Sequence, residues 1–456
     1  MAIKKGQILW TNSGDRVTVG DVISLEGGSG DVFHATLNGK EYAIKWFGKA
    51  GHFIDTKNRK SQYRIIRYLY EHYPEEKMKS NFTWPLYLNY VSRGGAVEGQ
   101  EFGYLMNLLP DGYYEMKYFL FSSGNPRRKV FKSYFARLLA CMRLVYHIQW
   151  LHQNGLAYLD MSAGNFAFNP ENGKIVVMDC DNITCDGLGL TVRGTPGYMA
   201  PEIPNSGYRI CPSVDTDRYS LAVVLYRILF VDHPMDGRLF STEDVHNMPA
   251  NRAEDEVYNK RHIFCFDPHN DTNRPNDEFG AAARIMWNVY PQVLKDAFIK
   301  AFTEGIQPGG RVSEGTWLKV LSRTNDRLVN ELRHGEQFAL FEKSGGVPIG
   351  TLKMQVYFGG SRNVANTIAV YHNKVIYVAS VSMNVDDSNI LKKFAQVELA
   401  RDSAGHSHYK LHNRSEWAWE IDGKCVQPNG SVWIGIGSRI RIMNRIPETV
   451  LLITQS

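Results

Sequence analysis

Cysteine is scarce in this chain, and what there is carries no metal-binding spacing. The six thiols, Cys141, Cys180, Cys185, Cys211, Cys265 and Cys425, are scattered through 456 residues with no Cys-x-x-Cys pair. That excludes a zinc ribbon and a disulfide scaffold, and it fits thiols kept reduced inside a cell. A one-signed charge excess is also missing. The formal net charge of +5 is small for this length and diffuse, which argues against nucleic acid or a membrane surface as a partner. No apolar run reaches membrane length. The most apolar stretch, residues 221–231, is interrupted by Arg227. Residues 1–10 lack the apolar core of a signal peptide, so a cytoplasmic location is expected. No repeat of solenoid period is present.

What the chain does have is an ordinary globular composition, 43% hydrophobic and 22% charged. Val17, Val19, Val22 and Ile23, then a glycine cluster, then Val32 to Ala35 and Tyr42 to Lys45, alternate as a small antiparallel sheet. Helical spacing follows over residues 58–73 and again from Phe131 to Leu151. Ile175 to Met178 reads as a buried strand and residues 221–230 as a buried helix. Residues 232–280, rich in Asp, Asn, Pro and Arg, read as a long surface excursion. Helices resume from 281 to 323, residues 326–336 read as a linker, and residues 337–456 carry short β-type runs separated by Gly and Asn. The expected class is α+β, with an all-β sandwich domain last.

Five motifs carry chemistry. Gly27, Gly28 and Gly30 lie between two strands, where a backbone without Cβ atoms can approach phosphate oxygens. Lys45 ends the apolar run Ala43-Ile44-Lys45. Asp160 and Asn165 stand in Tyr158-Leu159-Asp160-Met161-Ser162-Ala163-Gly164-Asn165, a spacing that suits a proton acceptor followed by a metal-holding amide. Asp179 closes the strand Ile175 to Met178, a good position for a Mg²⁺ ligand. The string Gly194-Thr195-Pro196-Gly197-Tyr198-Met199-Ala200-Pro201-Glu202, with Asp217-Arg218-Tyr219-Ser220-Leu221 after it, is the most specific of the five. Each acidic or glycine motif alone is also what a turn looks like.

Taken in order, these motifs make residues 16–325 resemble a bacterial member of the eukaryotic-type serine/threonine protein kinases. The resemblance implies a bilobal kinase fold, with residues 1–110 and 111–325 as its lobes, and ATP and Mg²⁺ as cofactors. It implies that Lys45 positions the nucleotide, Asp160 is the catalytic base, and Asn165 and Asp179 hold metal. Gly27, Gly28, Gly30, Val32, Ala43, Met106, Asn107 and Leu108 would surround the nucleotide. Thr195 resembles the threonine that serine/threonine kinases keep near the base. A narrower likeness rests on Phe82-Thr83-Trp84-Pro85, Asn273-Arg274-Pro275 and Phe302-Thr303-Glu304-Gly305. It is to a bacterial subgroup often encoded beside a von Willebrand factor A protein and a metal-dependent serine/threonine phosphatase, which implies both as partners beside a protein substrate.

Several positions depart from the family pattern. Leu25 replaces the first loop glycine, and Gln62 stands where a helical glutamate would pair with Lys45. Tyr158-Leu159 replaces His-Arg, Ser162 replaces a lysine, and Cys180-Asp181 replaces Phe-Gly. A pseudokinase scaffold and a small-molecule kinase therefore stay as competing readings, the latter opposed by Ala200-Pro201-Glu202. Residues 337–456 resemble a divergent forkhead-associated domain through Leu411-His412-Asn413-Arg414-Ser415, Asp422-Gly423-Lys424 and Gly437-Ser438-Arg439-Ile440. A plain β-sandwich without phosphopeptide binding is the preferred reading there. His406, His408 and His412 read as a solvated stretch rather than a metal site.

Overall fold

The computed structural model describes residues 3–25, 30–48, 56–73, 80–95, 100–132, 134–186, 194–331, 352–382, 392–443 and 448–455. The chain forms two compact units. One comprises Met1–Lys129, Leu151–Pro170 and Lys174–Ser220, and the other Val130–Trp150, Glu171–Gly173 and Leu221–Ser456. No described helix is long and apolar enough to cross a membrane.

The first unit is built on a closed barrel of β1 (Ile8–Thr11), β2 (Arg16–Ser24), β3 (Asp31–Leu37), β4 (Lys40–Phe47), β5 (Tyr87–Tyr90) and β6 (Phe102–Met106), in the order β1-β2-β3-β4-β6-β5. Alternation sends Leu9, Val17, Val19, Phe33, Ala35, Leu37, Ile44 and Trp46 into one core. The other face of β4 and β6 carries Ala43, Phe47, Phe102, Tyr104 and Met106. These pack with Ile66 of helix α1 (Thr56–His72). The expected sheet began at residue 16. The added strand β1 pairs Trp10 with Tyr90 and Thr11 with Asn89, and this pairing shuts the ring.

After a two-residue strand β7 (Tyr114–Glu115) and helix α2 (Tyr134–Gln153) come four three-residue strands: β8 (Leu156–Tyr158), β9 (Phe166–Phe168), β10 (Ile175–Val177) and β11 (Ile183–Cys185). β10-β9-β7 and β11-β8 form two small sheets. Helix α3 (Val214–Phe230) leads into the second unit, where α4 (Gln292–Phe302) and α5 (Glu314–Glu331) follow. Tyr226 sits there among Phe230, Phe264, Phe298 and Phe302, with ring centroids 4.5–5.9 Å away.

Residues 232–280 are not a surface excursion. Met235, Val245, Val257, Phe264 and Cys265 are buried, and fully buried Asn273 fastens the segment. Its Nδ2 donates to Met235 O and Ile263 O at 2.9 and 2.8 Å, and its Oδ1 accepts from Leu239 N at 3.1 Å. Asn273 bonds inward here, which composition alone does not reveal.

The expected linker is corrected in the same way. Residues 326–331 are the last turns of α5, and residues 332–351 lie outside the described residues. Strands β12 (Leu352–Phe358), β13 (Asn366–Val370), β14 (Val375–Tyr377), β15 (Lys393–Arg401), β16 (Ser407–Asn413), β17 (Trp419–Ile421), β18 (Lys424–Val426), β19 (Ser431–Ile434), β20 (Arg439–Ile442) and β21 (Thr449–Gln455) follow. They make a six-stranded sheet, β13-β12-β21-β20-β17-β18, and a four-stranded one, β14-β15-β16-β19. Both close on one core that includes Met354, Phe394, Leu411, Trp419 and Ile453. Helix α5 lies against β13. There, buried Asp326 accepts from Asn366 Nδ2 at 2.9 Å and pairs with buried Lys374 at 3.3 Å. Ser322 and Ser380 hydroxyls meet at 3.3 Å.

Candidate active site

Barrel register builds one wall of the site. Val32 and Tyr104 both pair with Lys45, and Met106 pairs with Ala43, so all five side chains share the face of the sheet turned toward α1. Gly30 lies just ahead of this wall. A Cβ on it would come within 2.9 Å of Trp46 O, so only glycine allows the chain to cross there. Gly27 and Gly28 lie outside the described residues. Asn107 and Leu108, past the end of β6, line a cavity of about 520 Å³ together with Glu41, Phe82 and Val176.

Lys45 is almost wholly buried, with 1% of its surface exposed. A buried ammonium needs compensation. It has two carboxylates: Asp179 Oδ1 at 3.2 Å and Asp181 Oδ1 at 2.7 Å. Burial works against its charge, but the two acids outweigh it and hold the lysine above its ordinary pKa. Burial raises the Asp179 carboxyl, with Lys45 pulling the other way. Asp179 adopts a left-handed backbone, φ 50° and ψ 53°, at the start of a 3-10 turn over Cys180–Asn182. A non-glycine residue in that region is held by its surroundings, and such positions collect at functional sites.

Asp160 sits in the loop between β8 and β9. Its Oδ1 accepts from the Thr195 hydroxyl at 2.6 Å. Asn165 Nδ2 donates to Asp160 O at 2.6 Å and to Asp160 Oδ2 at 3.1 Å, so the amide oxygen is the end of Asn165 left to face a cation.

Three hydrogen bonds lace this loop to the Asp179 segment. Met178 N donates to Asn165 O at 2.9 Å, Leu159 N to Asn182 O at 3.0 Å, and the Tyr158 hydroxyl to Met178 O at 2.7 Å. Beneath them, fully buried Asp217 Oδ2 accepts from Tyr158 N at 2.5 Å and lies 3.2 Å from His152 Nε2. Burial raises the Asp217 carboxyl, with His152 and the Tyr158 amide opposing.

The geometry thus brings Lys45 to Asp179 and Asp160 to Asn165 and Thr195, and joins the two groups through their backbones. It does not bring Gln62 to Lys45. Gln62 Oε1 is buried with no hydrogen-bond partner among the described residues, and Asp181 occupies the lysine instead. Sequence reasoning noted Asp181 only as an altered position. The available signal was a second acid two residues after Asp179.

Magnesium prefers hard oxygen ligands and keeps several from water and phosphate, needing one or two from protein. The Asp179 carboxylate and the Asn165 amide oxygen fit that demand. Among the described residues no group of three or more His, Cys, Asp or Glu could hold a metal without such help.

Over about a hundred residues the chain is similar to serine/threonine protein kinases. Serine/threonine-protein kinase ppk34 of Schizosaccharomyces pombe is 30% identical over 98 residues, 21% of this chain and 27% of that protein. Mouse protein kinase C delta type is 36% identical over 94 residues, 20% of this chain and 13% of that protein. Serine/threonine-protein kinase plk-2 of Caenorhabditis elegans is 31% identical over 101 residues, 21% and 15% of the two chains. The chain spans about a quarter or less of the length of these relatives. No protein-family model matches it. Among solved structures, a Toxoplasma gondii specific rhoptry antigen kinase domain aligns with TM-score 0.40 and 16% identity, over 56% of this chain and 79% of that one.

Proposed function

We propose that this protein is a serine/threonine protein kinase that transfers the γ-phosphate of ATP to hydroxyls of protein substrates, itself included. The observation that carries the reading is the ion pair of buried Lys45 with Asp179, laced through the backbone to Asp160 and Asn165. The sequence similarity to serine/threonine kinases supports it.

In this reading the barrel wall of Val32, Ala43 and Met106, with Asn107 and Leu108, takes the adenine, and Gly27, Gly28 and Gly30 cover the phosphates. Lys45 binds phosphate oxygens. Asp179 and Asn165 would hold Mg²⁺, which when bound supplies charge neutralisation at the transferred phosphate. Asp160 orients the acceptor hydroxyl and takes its proton. The Thr195 hydroxyl on Asp160 Oδ1 marks where an acceptor hydroxyl can reach that carboxylate. Residues 1–110 and 111–325 are the kinase lobes, and residues 337–456 a forkhead-associated-like domain. Leu159 stands where an arginine would receive a loop phosphate, which supports activity not gated by phosphorylation at Thr191, a residue outside the described ones. A cytoplasmic location, with a von Willebrand factor A protein and a metal-dependent phosphatase as partners, completes the reading by resemblance.

The test is labelled ATP with Mg²⁺ and the purified chain, with and without a generic protein substrate, beside Asp160→Ala. Label on serine or threonine that vanishes in the variant is the expected result. Nucleotide binding without transfer would instead establish a pseudokinase scaffold, the reading that Ser162 in place of a lysine favours.

A further inference from the structure

Lys45 needs a fixed anion to hold it while its other neighbour, Asp179, is engaged elsewhere. In the proposed reaction Asp179 faces a metal ion, so its grip on the lysine cannot be the permanent one. Helix α1 offers no replacement, since Gln62 has no charge and its Oε1 has no partner among the described residues. Asp181 has every property required. Its side chain is wholly buried, its Oδ1 stands 2.7 Å from Lys45 Nζ, and the Tyr104 hydroxyl donates to the same oxygen at 3.4 Å. Tyr104 pairs with Lys45 across β4 and β6, so the acid is fixed to the strand beside the one that carries the lysine. The 3-10 turn over Cys180–Asn182 fixes it from its own side, where Asn182 O accepts from Leu159 N.

We propose that Asp181 is the positioning residue for Lys45, in place of an acid on helix α1. This rests on the kinase reading and adds how its site is controlled. Because the acid lies two residues after Asp179 on the same turn, the lysine and the metal-holding carboxylate are set by one short segment. Control of this enzyme therefore acts through residues 179–182, the turn against which α1 packs.

The test compares Asp181→Asn, Gln62→Ala and Gln62→Glu in the full chain. Three quantities are read: ATP affinity by direct binding, kcat and KM for phosphotransfer, and thermal unfolding. Asp181→Asn is expected to lower kcat/KM by about a hundredfold, the scale set by misplacing a reacting group by an ångström. The loss should fall on both kcat and KM for ATP, with direct ATP binding weakened in parallel. Gln62→Ala should leave ATP affinity, kcat and KM within about twofold, the scatter expected of a residue without a specific contact. Gln62→Glu in the Asp181→Asn background should not recover the loss, because helix α1 does not bring residue 62 to Lys45.

If Asp181→Asn binds ATP and turns over as the parent does, or if Gln62→Ala is as damaging, the proposal fails. Should Asp181→Asn not fold, Gln62→Ala alone decides. If the parent chain transfers no phosphate, the kinase reading fails separately, and ATP binding by the same variants still tests the role of Asp181.

Discussion

Asp217 is the place where a single atom supports the loop of Asp160 from below, and its replacement has a calculable cost. Its carboxylate is buried, and Oδ2 accepts the Tyr158 amide at 2.5 Å with His152 Nε2 at 3.2 Å. In Asp217→Ala the Tyr158 N–H is left inside without an acceptor. Such an orphan costs about 1–3 kcal/mol, and a hydrogen bond to a charged group is worth about 1.5–3 kcal/mol. A loss of about 3 kcal/mol is the expectation. At about 2–4 °C per kcal/mol for domains of 150–250 residues, that lowers the melting temperature by about 6 °C or more. Tyr158 is two residues before Asp160, so the proposed base shifts with it, and kcat should drop by about a hundredfold. Differential scanning calorimetry and a phosphotransfer assay below the melting point measure both. Asp217→Asn, which keeps one acceptor oxygen, should lie between. A variant Asp217→Ala that melts within a degree of the parent and keeps its turnover would refute the argument.

Three further outcomes are expected. Asp326→Ala takes the carboxylate away from the buried Lys374 ammonium and should cost about 3–5 kcal/mol in urea unfolding. Adding Lys374→Met should recover most of that, because removing both partners leaves no charge from this pair in the interior. Burial lifts Asp236 to about 6 from 3.8, so between those values the folded chain holds a proton that the unfolded chain has lost. Its stability relative to Asp236→Asn should therefore fall as pH rises from 4 to 7, by about 3 kcal/mol, and a flat difference across that range would refute this. Thr195→Ser keeps the hydroxyl on Asp160 and should retain kcat/KM, whereas Thr195→Ala should lose about tenfold, the effect of roughly 1.4 kcal/mol.

Much of the barrel was legible because Val17, Val19, Phe33, Ala35 and Leu37 alternate, and a period of two leaves little choice of face. Strand β1 was not. Four residues beside Lys4 and Lys5 carry too little pattern, and only the pairing of Thr11 with Asn89, far along the chain, makes them a strand. Residues 232–280 and 326–331 were misread for a shared reason. Asn273 and Asp326 are polar and buried, and composition treats every polar residue as solvent-facing. Lys45, Asp160, Asn165 and Asp179 were singled out by their motifs together with the family resemblance those motifs carry. Asp181 was not, because its role depends on a 3-10 turn that aims it at a lysine 136 positions earlier.

The seam between β1 and β5 has a bearing on how other molecules can attach. In an open sheet, the outermost strand offers unspent amides and carbonyls to any extended peptide that lies alongside it. Here Trp10 and Thr11 use those groups on Tyr90 and Asn89, and Asn12 continues the seam by donating its amide to Leu88 O at 2.9 Å. Strand addition is thereby closed off as a way in. A regulator of the barrel has to recognise side chains, and specificity for it will be found by mutating its outward-facing residues rather than by blocking a backbone edge.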